Sequence, residues 1–534
     1  MRGHVARAYG DRRRYLIVAA YPTPNGALHL GHLGGPYIRA DALRRYLESR
    51  GHQVVSIGTS DSWESNVLYT ALKEERPACA VVADYHAAIK RILGGFDLLH
   101  EDYLDIHEPE LFAAHRAYSD ELVAALTADG RIAYHEEHLL HDEASDRLLV
   151  GCWLAGRCPQ CGTGAVGNSC EACGLWFGPL DMVSPGPRVT PAGPVATVAV
   201  TSAFAVADAS MEPDRCGPRI GHRATYLPIV ESYWKWNPAG IRLSYPIAWG
   251  LPWPTPDPDP RSVHYSYGTL LWSASKLIGE AAVARTGGSD PFSQASDTVT
   301  VAVGGIDAVM PWLVLLGLVT PSAGFRPYDF FVFNHFLHLH GSKFSTSRRH
   351  VIWAGDYLSA GFDTDCARLY LAGICPQTEA NDFRCDTFAA SGADWAGRLD
   401  AAVRLSPRTS SGAQDVGEAA FAALTLQDRC MALPDVDVRA ALAVLDGWLT
   451  RSAEFPAPQQ RRWYLWCLAI LAEPFIPRWS GRLWQALGFP GRPNVWARPE
   501  DARLNLPFEG LRPPSEAAIR ALMDAPSAGG SGNA

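Results

Sequence analysis

An apolar run, Tyr15-Leu-Ile-Val-Ala-Ala20, breaks at Tyr21-Pro-Thr-Pro-Asn-Gly26 and passes through Ala27-Leu-His-Leu-Gly-His32 into a helical pattern. A strand, a Pro/Gly turn and a helix in that order constrain the fold strongly. The helix spans about Gly34 to Arg50, with Tyr37, Ile38, Leu43, Tyr46 and Leu47 on its inner side and Gly51 as its C-cap. A second strand, Gln53–Gly58, follows it. Such a unit predicts a doubly wound parallel sheet that binds its ligand at the C-terminal strand edge. Two imidazoles, His29 and His32, fall at the strand-to-helix turn. Free backbone N–H groups and the positive end of a helix dipole suit an anion such as a nucleotide phosphate there.

Further along, helical patterns run around Ala83–Leu93 and Pro109–Ala128. The apolar stretch Val299–Val303, followed by Gly304-Gly305-Ile306-Asp307, reads as a return to the sheet, with a helix from about Ala308 to Gly317. Between these parts lies Cys158-x2-Cys161 with Cys170-x2-Cys173. Four thiolates at this spacing make a tetrahedral zinc site with no open position, so the metal is expected to be structural. The remaining cysteines are scattered and read as reduced residues. Residues 186 to about 262 read as irregular and Pro-rich. From about 390 onward, Ala, Leu and Trp recur at helical spacing and predict a helical bundle.

The bulk numbers exclude several classes. No apolar run approaches the roughly 20 residues of a membrane span, so no membrane partner is expected. Arg12, Arg13 and Arg14 before the first apolar run resemble a signal peptide superficially. The run is short and a Pro-rich turn follows, so it reads as a core strand in a cytoplasmic protein. The net charge of −9 argues against broad nucleic-acid binding, and DNA is not an expected partner.

Lysine is confined to Lys73, Lys90, Lys235, Lys276 and Lys343, against 42 arginines. One of the five sits in Gly341-Ser-Lys343-Phe344-Ser345-Thr346-Ser347-Arg348-Arg349, a loop able to close over a triphosphate. Most Lys-Ser loops are simply solvated. The scarcity of lysine and the neighbouring hydroxyls and arginines favour function here.

The His29/His32 motif and the Lys343 loop, about 310 residues apart in this order, resemble the two signatures of class I aminoacyl-tRNA synthetases. The Pro-x-Pro-Asn-Gly-x-Leu-His-Leu-Gly-His form, Arg39-Ala-Asp-x-Leu-x-Arg-Tyr46, Arg50-Gly-His52 and the cysteine knuckle resemble the methionyl-tRNA synthetase family. The resemblance covers residues 14 to about 390. It implies a class I synthetase-type, Rossmann-like doubly wound sheet with a zinc-knuckle insert and a C-terminal bundle. The nucleotide-binding domain would occupy 1–115 and 263–390. The connective insert would occupy 116–262, with its knuckle at about 150–185. The span 391–524 resembles a reduced anticodon-binding domain, and 525–534 is expected to be a disordered tail.

The resemblance also implies roles. An amino acid is activated by ATP with Mg2+ as an adenylate and transferred to a tRNA 3′ end. His29, His32 and Lys343 would be catalytic. Asn25, Gly31, Asp307, Ser345 and Ser347 would bind ATP. Tyr21, Thr23, Asp61, Tyr267 and Trp312 would bind the amino acid, Asp61 taking its ammonium. Cys158, Cys161, Cys170 and Cys173 would hold Zn2+. For Asp307 the sequence alone equally allows an ordinary helix N-cap.

Several positions depart from the family. Thr346 stands where the loop has a second lysine, and Ile306 replaces a lysine before Asp307. Trp63-Glu64 replaces His-Gly, Tyr21 a leucine, Thr23 a tyrosine, Tyr267 a tryptophan and Trp312 a histidine. A few pocket contacts set selectivity, so the substrate is expected to differ from methionine. Residues 391–534 carry 15 Arg, no Lys and 15 Asp/Glu, and the family's anticodon-reading residues are not found there. Trp463, Trp466, Trp479 and Trp484 read as core. Two other readings stay open: an adenylate-forming ligase of specialised metabolism, and a non-catalytic paralogue that binds tRNA or protein.

Overall fold

In a computed structural model, the described residues are 9–98, 101–191, 193–206, 219–254, 261–344, 350–405, 415–503 and 508–524. The expected tail at 525–534 lies outside them, as do Ser345 to Arg349.

Five strands form one parallel sheet: β1 (Arg14–Ala19), β2 (Gln53–Thr59), β3 (Asp102–Leu104), β4 (Val299–Gly305) and β5 (Phe330–Asn334). Their spatial order is β5-β4-β1-β2-β3, with Tyr15 opposite Val299 and Arg14 opposite Gln53. Strand β1 is buried on both sides, as parallel strands are. Leu16 and Val18 feed one core, while Ile17 and Ala19 feed another. Neighbours β1 and β4 run to opposite halves of the sheet, so a crevice opens at their C-terminal ends. The motifs all leave strand ends: Tyr21–His32 after β1, Asp61 after β2, Asp307 after β4, and Lys343 beyond β5.

Several segments differ from expectation. The first helix is regular only over α1 (Ile38–Ser49). Before it, Leu30–His32 makes one short turn and Leu33–Tyr37 a wide π-type turn, because Gly35 (φ −88°, ψ −114°) and Pro36 interrupt the ladder. Gly51, at φ +92°, closes the helix as predicted. The Ala308 helix is instead a wide-turned stretch, Pro311–Val319. Helix α2 (Ala78–Gly95) is longer than predicted, and α3 is Pro109–Ala128. Residues 186–262 are not irregular throughout. They supply Val195–Ala205, which pairs along its whole length with Ile132–Asp142, and a helix at Arg223–Trp236. The strand is half-covered over its first residues and buried on both faces from Ser202 to Ala205.

The C-terminal part is helical, including Cys385–Arg404, Val416–Cys430, Val438–Thr450, Pro458–Ala472 and Pro477–Ala486. Trp466, Trp479 and Trp484 are fully buried in it, while Trp463 is half-buried. Arginines tie this bundle to the sheet. Asp41 on α1 accepts from Arg44, Arg45 and Arg368, which hold its carboxyl far below the usual range against the opposing effect of burial. Arg45 also reaches Glu473 at 3.1 Å, and Arg50 reaches Asp428 at 2.8 Å. Helix α1 is thus buried on nearly every face, not only the one predicted. Among the described residues no helix is long and apolar enough to cross a membrane.

Candidate functional site

A cleft of about 2100 Å³ opens at the carboxyl ends of the strands. Its walls include Tyr21, Thr23, Asn25, His29, Gly31, His32, Asp61, Tyr267, Asp307, Trp312 and Lys343, so the described candidates share one site. Ser345 and Ser347 fall outside the described residues. Three wide turns border the cleft, at Leu33–Tyr37, Ser266–Leu270 and Pro311–Val319. Turns of this kind recur at functional sites because they re-aim side chains without ending a helix.

His29 and His32 cap each other. The His29 N–H donates to His32 Nδ1 at 3.1 Å, and the His32 N–H donates to His29 Nδ1 at 3.2 Å. Both Nδ1 atoms are therefore acceptors, and a neutral ring then carries its proton on Nε2. The rings stack at 3.7 Å, and Phe344 stacks on His29 at 4.8 Å. Both imidazoles stay neutral at pH 7. Crowding by the cleft walls and the Lys343 charge hold His32 down to about 4 although its edge meets water. Burial, then His32, then Lys343 push His29 well below its ordinary value. The pair thus presents two Nε2–H donors on a fixed platform.

The segment after the Lys343 loop clasps this platform. The Leu30 N–H donates to the Ile352 carbonyl, and the Ala354 N–H to the Leu28 carbonyl, each at 3.0 Å. At Gly31 a Cβ would stand 2.7 Å from the Phe344 ring, so only glycine lets the two motifs close. Phe344 and Ile352 were not predicted as site residues. Phe344 was legible only as a neighbour of Lys343.

The wall that carries Asp61 differs. Asp61 accepts from the Ser266 hydroxyl, and burial with the nearby Glu64 charge raises its pKa to about 7. Glu64 is buried, accepting from Ser65 Oγ at 2.9 Å and the Asn66 N–H at 2.6 Å, and burial raises its pKa. Tyr21, at 5.8 Å from the Trp312 ring, is pushed up to about 12 by burial. Burial also raises Asp307, whose carboxylate takes backbone N–H groups in its own turn.

The four cysteine sulfurs lie within 4.8 Å of one another, with Cys158 and Cys173 Sγ atoms 3.8 Å apart and Cys161 and Cys170 3.6 Å apart. Those separations fit the edges of a tetrahedron with metal–sulfur bonds of about 2.3 Å. Each Cys-x2-Cys turn ends in a glycine at positive φ, Gly162 (+74°) and Gly174 (+75°). The knuckle touches the site directly. Trp176 Nε1–H donates to the Asp307 carbonyl at 3.2 Å, and its ring meets Tyr267 edge-on at 4.8 Å. Gly174 packs on Ile306, where a Cβ would lie 3.0 Å from the carbonyl oxygen. Glu171, between the third and fourth cysteines, pairs with Lys343. No sequence signal marked Trp176 or Glu171.

A family model described as tRNA synthetases class I (M) matches residues 15–208 and 292–394. The methionine–tRNA ligase of Parabacteroides distasonis is 27% identical over 387 residues, covering 71% of this chain and 55% of that protein. The methionine–tRNA ligase of Roseiflexus castenholzii is 26% identical over 544 residues, covering 89% and 87%. A crystal structure of Mycobacterium tuberculosis methionyl-tRNA synthetase bound by methionyl-adenylate superposes with a TM-score of 0.66 at 17% identity. It covers 94% of this chain and 99% of that one. At that identity the likeness speaks for the fold alone. The chain spans about half the length of the first curated relatives it matches.

Proposed function

Because the chain belongs to the class I tRNA synthetases of the methionyl type, we propose that it activates an amino acid with ATP and transfers it to the 3′ end of a tRNA. The observation that carries this reading is the stacked His29/His32 pair with two Nε2–H donors on one side of the cleft.

The substrate carboxylate attacks the α-phosphate, a P–O bond to it forms, and pyrophosphate leaves with the broken bond's electrons. Negative charge grows on the phosphate oxygens in the transition state. Preorganised donors facing that charge contribute about 3 kcal/mol each. His29 and His32 supply them through Nε2–H. Lys343 leaves Glu171 and holds the β- and γ-phosphates. Ser345 and Ser347 follow it in sequence and add hydroxyl donors. Asn25 and Gly31 shape the nucleotide side, and Asp307 takes the ribose hydroxyls. ATP arrives with Mg2+ as part of the substrate. Asp61, oriented by Ser266, takes the α-ammonium. Tyr21, Thr23, Tyr267 and Trp312 face the side chain, which is not that of methionine. The four-cysteine knuckle holds a structural Zn2+ that keeps Trp176 against Asp307 and Tyr267. The 15 Arg balanced by 15 acids beyond residue 390 support transfer that ignores the anticodon.

Pyrophosphate exchange with a panel of amino acids, with and without total tRNA, tests the reading. Exchange with one amino acid other than methionine, and transfer to tRNA with a scrambled anticodon, are expected. Exchange with methionine alone refutes the altered substrate. No exchange with any amino acid refutes activation itself.

A further inference from the structure

Asp61, the proposed seat of the α-ammonium, stands among large rings. Its N–H donates to the Pro22 carbonyl at 3.0 Å, which sets it beside Tyr21 just beyond β1. Burial raises the Tyr21 pKa and the Asp61 charge adds to the rise, as between close neighbours. Tyr267 follows Ser266, whose hydroxyl donates to Asp61. Burial raises Tyr267 as well, and the charges of Glu64, Asp61 and Asp307 all add to it. An amino acid held on Asp61 by its ammonium therefore has both Tyr21 and Tyr267 as neighbours.

Neither ring has room behind it. The Tyr21 ring lies 5.8 Å from Trp312, which also lines the cleft and is 4% exposed. Trp312 is near-parallel to Tyr328 at 6.3 Å, and Phe292 meets Tyr328 edge-on at 5.0 Å. Trp272 meets Phe292 edge-on at 5.8 Å, and all three of these deeper rings are fully buried. The hydroxyls of this wall are engaged with one another. Ser275 Oγ donates to the Leu271 carbonyl at 3.0 Å, accepts from the Tyr328 hydroxyl at 3.2 Å and lies 3.4 Å from the Tyr21 hydroxyl. Tyr267 is braced likewise. Trp176 meets it edge-on at 4.8 Å and Tyr265 at 5.7 Å, and Tyr265 packs on Tyr245 at 4.9 Å.

Rings packed in this way yield space only by displacing buried neighbours, and forcing extra atoms into such packing is unfavourable. We propose that the amino acid taken by this cleft has a side chain no longer than that of serine, cysteine or 2-aminobutyrate, and that Tyr21 and Trp312 set this limit. Resting on the activation reading above, the limit names that reading's substrate class. Methionine exceeds 2-aminobutyrate by a methylthio group, and the layer of Trp312, Tyr328 and Phe292 occupies the depth that this group needs.

The test is pyrophosphate exchange with a short set (glycine, alanine, serine, cysteine and 2-aminobutyrate) and a long set (valine, leucine, methionine, lysine and phenylalanine). The highest kcat/KM is expected within the short set, with methionine at least about tenfold below it. In Trp312→Ala the ratio of methionine to the best short substrate is expected to rise at least about tenfold. Trp312→Leu, a smaller cut, should move the ratio the same way and serves where the alanine variant does not fold. The highest kcat/KM with any member of the long set overturns the limit and leaves activation standing. A ratio unchanged in a folded Trp312 variant overturns it as well. If no amino acid exchanges, activation itself fails, and calorimetric titration of the protein decides the limit. Tighter binding of a short amino acid than of methionine upholds it, and equal or weaker binding overturns it.

Discussion

The end of the cleft proposed for the nucleotide and the end proposed for the amino acid are built on opposite plans. At the nucleotide end, donors are fixed and aimed outward. His29 and His32 spend their Nδ1 atoms on each other's backbone and keep Nε2–H for a ligand. At the other end, Asp61 and Glu64 accept only from neutral donors, Ser266, Ser65 and the Asn66 N–H, and have no ion-pair partner among the described residues. The first plan stabilises charge that appears only during reaction, so its geometry must be ready in advance. The second plan suits a cationic group such as the proposed α-ammonium.

Removing a donor should have the largest effect. His32→Ala is expected to lower pyrophosphate exchange by about 10²–10³-fold, with the far-ultraviolet circular dichroism spectrum retained. Activity within a few-fold of the parent would break the assignment of the donor platform. Next comes the close approach that joins the two motifs. Gly31→Ala places a Cβ against Phe344, and overpacking of this kind costs about 1–3 kcal/mol. Exchange should fall about tenfold or more through KM for ATP, with KM for the amino acid changed less.

The acceptor end should respond to pH. Asp61 has a raised pKa of about 7, so below pH 7 it is protonated and cannot hold an ammonium as an ion pair. The kcat/KM for the amino acid should rise with pH through about 7, approaching tenfold per pH unit on the acid side. Glu64→Gln removes a neighbouring negative charge and should move that midpoint downward. A flat profile between pH 6 and 8 would show that Asp61 is not the ammonium partner. The smallest effect is expected at Trp176, which touches both ends. Trp176→Phe keeps the ring and loses the N–H to Asp307. One such bond is worth about 1 kcal/mol, or roughly fivefold. Zinc chelation should lower both KM-linked steps further, because the whole knuckle face then loosens.

Sequence legibility followed the length scale of each signal. Strand β1, the turn after it and α3 could be read because each is a local pattern of apolar spacing and breakers. The cysteine knuckle was legible for the same reason, its ligands being close in the chain. In the sequence helix α1 reads as one-sided, because Arg39, Arg44 and Arg45 look like solvent residues. Asp41, Glu473 and backbone carbonyls from distant segments bury them instead. The strand Val195–Ala205 is not legible locally, because the partner that fixes it, Ile132–Asp142, lies some 60 residues earlier.

The sequence by itself determined the parallel sheet, the four-cysteine cluster and the identity of the residues at the strand ends. Those depend on periodicity, on turn chemistry and on spacing between neighbours. Only the tertiary structure decided which protons the two imidazoles offer, that Phe344 and Trp176 support the site, and that Tyr21 and Trp312 close the same wall. These facts depend on which atoms meet across hundreds of residues. A hydrogen bond's direction and a ring's neighbours are set by packing, which no local pattern encodes.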